Sequence, residues 1–402
     1  MRVRQVFLAA LVAAAGCLSP VDASSVRIAA IRVTVGTAQR AVDTIRVRRT
    51  TRVTATAFAS QGYDLGITSF TYSSSNTAVA TVDQNGIVRG VAPGSAVITA
   101  TAPQGKSGQV TVVVLTTTVE FTIPLGSAPS DIAFSQDYAR AYVTAAGDSL
   151  DVIDAFSFFR LRSIPLGLAA GHVAATGDAV FVTNPGADSV TVVSVASNTI
   201  VRRIAVAGAP DAIVASSTRA FVGARNGTRI VALTSTGTAG TIALSGSPRQ
   251  LAIARTGNLL FATVVNGTSW RLVSANSATL AALQSVALPG PALALTTNAD
   301  GSRVYVLLAT GEVRAFTATT TGVLAAAGSA TAGSGATSIA ARVAGPPDVV
   351  VSGEPVFVLD GLTLAALDRI AGAGTGTVAI RPDGLFAFIA VPDRRTINVV
   401  GL

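Results

Sequence analysis

Five residues of this chain fall at one place in a repeated pattern and carry side chains able to do chemistry: Asp131, His172, Asp211, Arg249 and Gln250. Two carboxylates at one opening could hold a cation, while arginine and an amide offer donors to a small polar ligand or a peptide. His172 is the only histidine, which excludes zinc or copper centres built from several imidazoles. Nothing else in the chain completes a catalytic set. No Gly-x-Ser-x-Gly elbow is present, and the glutamates are only Glu120, Glu312 and Glu354. The run "GAGTGT" at Gly372–Thr377 imitates a dinucleotide loop, but the "VAIRPDGLFAFI" that follows reads as two strands around a turn, with no helix to receive a pyrophosphate. "NADG" from Asn298 and "RPDG" from Arg381 suit strand-linking turns. Asn226-Gly-Thr228 and Asn266-Gly-Thr268 match glycosylation sequons but fall in hairpin turns. The expectation is a binding opening with no catalytic residue, no metal and no cofactor.

The elements that must position these residues are repeats. "IPLGSAPSDIAF" at Ile123, "IPLGLAAGHVAA" at Ile164, "IAVAGAPDAIVA" at Ile204, "IALSGSPRQLAI" at Ile242, "VALPGPALALTT" at Val286 and "IAGAGTGTVAIR" at Ile370 align, at intervals of 41, 40, 38, 44 and 84 residues. The last interval is about twice the others and hides a degenerate copy, "GSATAGSGATSIAA", from Gly328. Each unit holds four short strand patterns; in the first they are Asp131–Ser135, Ala139–Thr144, Ser149–Asp154 and Arg160–Leu166. Four strands in about forty residues make a propeller blade. The last unit stops after its third strand, "TINVVGL", so the missing fourth is expected from Val119–Ile123. That closure leaves no open sheet edge. Residues 119–402 therefore predict a seven-bladed β-propeller, with six or eight blades as the alternatives because the stretch at 321–348 is irregular. The five residues begin innermost strands, at one mouth of the central channel. The last three blades offer mainly Ala, Gly and Thr there. "DAVFVTNPGADSVTVVSVASNTIVRRIAVAGAPDAI" resembles the Tyr-Val-Thr-Asn (YVTN) type of bacterial propeller repeat.

Residues 27–115 alternate differently. Val53–Phe58, Gly86–Val91, Ala96–Ala100 and Gln109–Val114 are short period-two runs, separated by turns such as Asp83–Gly86 and Pro93–Gly94. This predicts a β-sandwich of about ninety residues. Its stretch "YSSSNTAVATVDQNGIVRGVAPGSAVITATA" resembles the C-terminal half of a bacterial Ig-like domain of the second type, with Tyr72 where that family usually has Trp. The resemblance implies a place among surface proteins, adhesins and stalks rather than an activity. This segment carries +6 of the chain's net +8. In "TIRVRRTTRVTA" the alternation of Ile45 and Val47 with Arg46 and Arg48 predicts that these two arginines share the solvent face, and with Arg52 they could attract anionic glycans or headgroups. No aromatics interleave these arginines, so nucleic acid is not an expected partner. Only Thr116–Thr118 link the two modules.

The first residues read as an export signal: Arg2 and Arg4, then the apolar run Val6–Ala15, then Ala14-Ala15-Gly16 ahead of Cys17. Ten apolar residues are about half of what a membrane span needs. "AAGC" resembles a bacterial lipobox, which implies a lipid anchor on Cys17 and a signal segment of residues 1–17. One cysteine allows no internal disulfide, so the fold rests on its core. The composition fits, with 50% hydrophobic and 12% charged residues. All of this predicts an all-β protein: an Ig-like β-sandwich followed by a β-propeller. It would be a non-enzymatic, monomeric cell-surface protein, lipid-anchored or secreted, that binds an envelope or extracellular protein or glycan, or acts as a scaffold. The alternative is a metal-dependent propeller hydrolase or lactonase working in the channel. A lectin would need stacking aromatics, and Trp270 is the only tryptophan.

Overall fold

The computed structural model describes residues 27–36 and 41–402; the expected signal segment, Cys17 and Arg40 lie outside the described residues. The chain divides into two compact units between Thr116 and Thr117. Among the described residues the only helical elements are the 3-10 turns Pro185–Ala187 and Pro392–Arg394. None of those residues forms a helix long and apolar enough to cross a membrane.

The first unit is a sandwich of two four-stranded sheets. One sheet runs Ala30–Val35, Thr50–Phe58, Ile87–Gly90, Ala80–Val82; the other runs Val42–Arg46, Ser107–Leu115, Gly94–Thr101, Thr71–Ser74. Period-two alternation places Val33, Val35, Val53 and Val88 from the first sheet against Ile45, Ile98, Val112 and Val114 from the second. The expected turn at Asp83–Gly86 forms. Asp83 Oδ1 accepts the backbone N–H of Asn85 at 2.9 Å and of Ile87 at 2.8 Å. Gly86 has φ +74°, and a Cβ there would lie 2.5 Å from the Val53 carbonyl oxygen, so only glycine fits.

The second unit contains seven antiparallel four-stranded sheets. Blade 1 is Pro129–Phe134, Arg140–Ala145, Ser149–Asp154 and Phe159–Pro165. The innermost strands of blades 2 to 7 are Val173–Ala175, Pro210–Ala215, Ser247–Ile253, Ala292–Thr297, Ser338–Ala341 and Val378–Ile380. Each innermost strand touches the next, and the seventh touches the first, so they form a closed ring. Val119–Pro124 pairs antiparallel with Thr396–Gly401, in the register Ile397↔Ile123 and Val399↔Phe121, as the outermost strand of blade 7. The fourth strand expected from the N-terminal side is the one observed. The irregular 321–348 stretch still yields a complete sixth blade: Ser338–Ala341, Asp348–Ser352, Val356–Asp360 and Ala366–Ile370.

One residue per blade explains how the ring packs. Tyr142, Phe181, Phe221, Phe261, Tyr305, Val350 and Phe388 occupy the same place in the second strand of successive blades, and all are buried. Each packs into the apolar cluster of the following blade, and Phe388 of blade 7 packs into blade 1. Across the ladder they face small residues of the innermost strand, such as Ala133, Ala174, Ala252 and Ala379. A radial sheet has less room near its axis, so bulk belongs on the second strand and small side chains belong inside.

Candidate functional site

The innermost strands enclose an axial cavity of about 380 Å³ whose wall includes Ile132, Ile213, Leu251, Leu295 and Ile380. Asp131, Gln136, Arg255, Thr296 and Thr297 also line it. At the mouth where the innermost strands begin, a threonine of the second strand holds the entering backbone. Thr183 Oγ1 accepts the His172 N–H at 2.8 Å and donates to the Asp211 carbonyl at 3.2 Å, tying blade 2 to blade 3. Thr263 Oγ1 accepts the Gln250 N–H at 3.1 Å. His172 and Gln250 are thus presented from equivalent positions, two blades apart.

Three of the five residues read from the sequence meet there. His172 Nδ1 lies 3.1 Å from Asp131 Oδ2, which also accepts the Val173 N–H at 2.9 Å. His172 Nε2 lies 3.9 Å from Asp211 Oδ1. Burial alone would lower the His172 pKa, but the charge and hydrogen bond of Asp131 and the charge of Asp211 outweigh it. The imidazole is pushed up to about 9, against the opposing charge of Arg225. With 43% of its side chain open to solvent, water screens part of that attraction. Arg249 and Gln250 lie in the first half of the innermost strand of blade 4, and no hydrogen bond joins their side chains to the other three. Among the described residues no group of three or more His, Cys, Asp or Glu side chains is placed to hold a metal.

Sequence reasoning missed Arg225. It donates from Nε at 3.2 Å and from Nη2 at 2.6 Å to Asp211 Oδ2. The pairing explains its place: Pro210 pairs with Ala224, so residue 225 comes level with the start of the innermost strand. Thr183, fully buried, was missed as well. A second hollow of about 430 Å³ opens on the same side, over blades 6, 7 and 1, lined by Pro129, Ser130, Thr337, Ser338 and Thr377 among others.

The basic face expected on the first unit is divided. Ile45 and Val47 point inward as read, but the strand ends at Arg46 and the chain turns at Val47–Arg48, where Arg48 takes φ +72°. Arg46 therefore stands in one sheet, with Nη1 3.1 Å from the Thr116 carbonyl oxygen, and Arg52 stands in the other. Alternation predicts a shared face only while one strand continues.

Sandwich and ring together define a class, an Ig-like domain followed by a β-propeller with a charged mouth. Residues 33–114 match the family model described as Bacterial Ig-like domain (group 2). No curated protein matches the chain. Among solved structures, hydrazine synthase of Kuenenia stuttgartiensis is similar at 18% identity and a TM-score of 0.59, covering 68% of this chain and 96% of that one. At that identity the likeness shows the fold alone. With 1588 solved chains matching, function must be argued from this chain's own residues.

Proposed function

We propose that this is a non-enzymatic protein of the bacterial cell surface, exported and lipid-anchored through Cys17, that binds an envelope or extracellular partner at the mouth of its propeller. The observation that carries the reading is the clamp on His172. Asp131 and Asp211 hold the ring as a cation at neutral pH, so it has no free base to offer a reaction. A general base would need a pKa near the working pH. Asp211 is likewise engaged by Arg225. A mouth whose acids and cations neutralise one another is suited to recognition, and its imidazole is poorly suited to act as a general base. The Ig-like match supports a surface location, and the lipobox-like "AAGC" supports anchoring. The strand motifs around "FVTN" support a YVTN-type propeller. Arg46, Arg48 and Arg52 add positive charge that favours anionic surfaces.

The test compares the full chain with Asp211→Asn and Arg225→Gln variants for binding to isolated cell envelope over a salt series. Saturable binding that weakens with salt, and further in both variants, is the expected result. Binding identical in all three proteins removes the mouth from the proposal. Turnover of a lactone panel that is lost in Asp131→Asn would establish the hydrolase alternative instead.

A further inference from the structure

We propose that the mouth receives a peptide carboxylate, held by Arg249 and Gln250 beside the Asp211–Arg225 pair. This rests on the reading of the mouth as a binding site and names what enters it. The acids there already have partners: Asp131 takes His172 and the Val173 N–H, and Asp211 takes both nitrogens offered by Arg225. The donors do not. Among the described residues, the guanidinium of Arg249 and the amide of Gln250 make no hydrogen bond or ion pair, although both residues are half-buried. What the mouth leaves over is therefore donor capacity and positive charge.

The backbone beneath these donors is fixed. The Gln250 N–H is bonded to Thr263 Oγ1. Pro248 packs so closely on Gly223 that a Cβ there would come within 3.0 Å of it, on the strand that leads to Arg225. Arg225 and Arg249 are thus carried by neighbouring, tightly packed blades. A carboxylate is planar and matches a guanidinium through two parallel hydrogen bonds, with the Gln250 amide able to supply another. The rest of the opening favours a peptide as its bearer. The mouth residues and the adjoining hollow over blades 6, 7 and 1 include no aromatic ring for a sugar to stack on. The hollow offers prolines and small side chains such as Pro129, Pro392, Ala128 and Ala146, while the hydroxyls of Ser130, Thr337 and Thr377 are already bonded within the protein. An extended backbone can lie across such a surface with its charged end at blade 4.

The experiment is calorimetric titration of the full chain with the probe acetyl-tetra-alanine bearing a free C-terminus, beside the same peptide as its amide, trigalacturonate and inorganic phosphate. The free acid should bind and the amide should bind at least about tenfold more weakly, the loss expected of a charge-assisted pair. Arg249→Gln and Gln250→Ala should each weaken the free acid. Arg255→Gln, the same charge change near the opposite end of the channel, should not. Equal binding of acid and amide, tighter binding of trigalacturonate or phosphate than of the peptide, or indifference to Arg249→Gln overturns the assignment. If no peptide binds but envelope binding still falls in the Arg225→Gln variant, the carboxylate assignment fails alone. If envelope binding ignores every mouth variant, the reading beneath it fails too.

Discussion

His172 is the residue on which the chemistry of the mouth turns, and being the only histidine it can be followed without assignment ambiguity. Its imidazole signals should titrate with a midpoint near 9, measured by NMR of the full chain. In Asp131→Asn the midpoint should drop toward the ordinary value of about 6.5. A midpoint near 6.5 in the unaltered protein would mean the clamp is not formed in solution. The raised value has a fixed consequence for stability. The folded state holds the proton more tightly than the unfolded chain, so the stabilisation is fully present below about pH 6.5 and is lost as pH rises through about 9. Unfolding by denaturant at pH 6 and pH 9.5 should show the protein losing more stability across that window than a His172→Asn variant. The trio Asp131, His172, Asp211 was legible because repeats fix the register. Arg225 was not, because its place depends on the length of a hairpin that the alignment of starts does not measure.

At the scale of elements, the ring is held shut inside blade 7, and aromatic rings brace the closing strand against blade 1. Phe158 of blade 1 stacks on Phe121 of the closing strand at 4.5 Å and meets Phe386 of blade 7 edge-on at 5.3 Å. Phe134 meets Phe388 between the same two blades at 5.0 Å. The chain runs from the outer strand of each blade into the inner strand of the next, blade 7 to blade 1 included, so closure depends on the pairing of Val119–Pro124 with Thr396–Gly401 inside blade 7. Ile123→Ala, at a position 1% exposed in the closing strand, should cost about 2–5 kcal/mol in chemical unfolding. Val201→Ala, 52% exposed on the outer strand of blade 2, should stay within about 0.5 kcal/mol. Equal effects would place the closing strand outside the cooperative unit. In the sandwich, Gly86→Ala should destabilise by more than about 1 kcal/mol, because it meets both a positive φ and the Val53 carbonyl. These elements were legible in advance, since alternation and Gly/Pro turns are local signals. The break at Val47–Arg48 was not, because nothing in "IRVRRTTRV" marks where one sheet hands the chain to the other.

For the molecule as a whole, charge is distributed unevenly: the Ig-like segment holds +6 of the net +8, so the propeller is close to neutral. Salt should therefore weaken contacts of the first unit with anionic surfaces more than it weakens folding of the second. Cys17→Ser should move the protein from the detergent phase to the aqueous phase on partitioning of cell extracts; an unchanged distribution would remove the anchor from the proposal. Two units could be read from the chain because their periodicities differ. The ligand could not, since a repeat says where side chains gather but not what they await. The closing strand also imposes an order in time. Thr122 bonds Asn398, 276 positions later, at 3.0 Å. At a synthesis rate of about 5–20 residues per second, Val119–Pro124 must wait unpaired for roughly 14–55 s before Thr396–Gly401 exists. During that interval the nascent chain can finish its sandwich but carries a sticky, half-satisfied ribbon at the start of its ring.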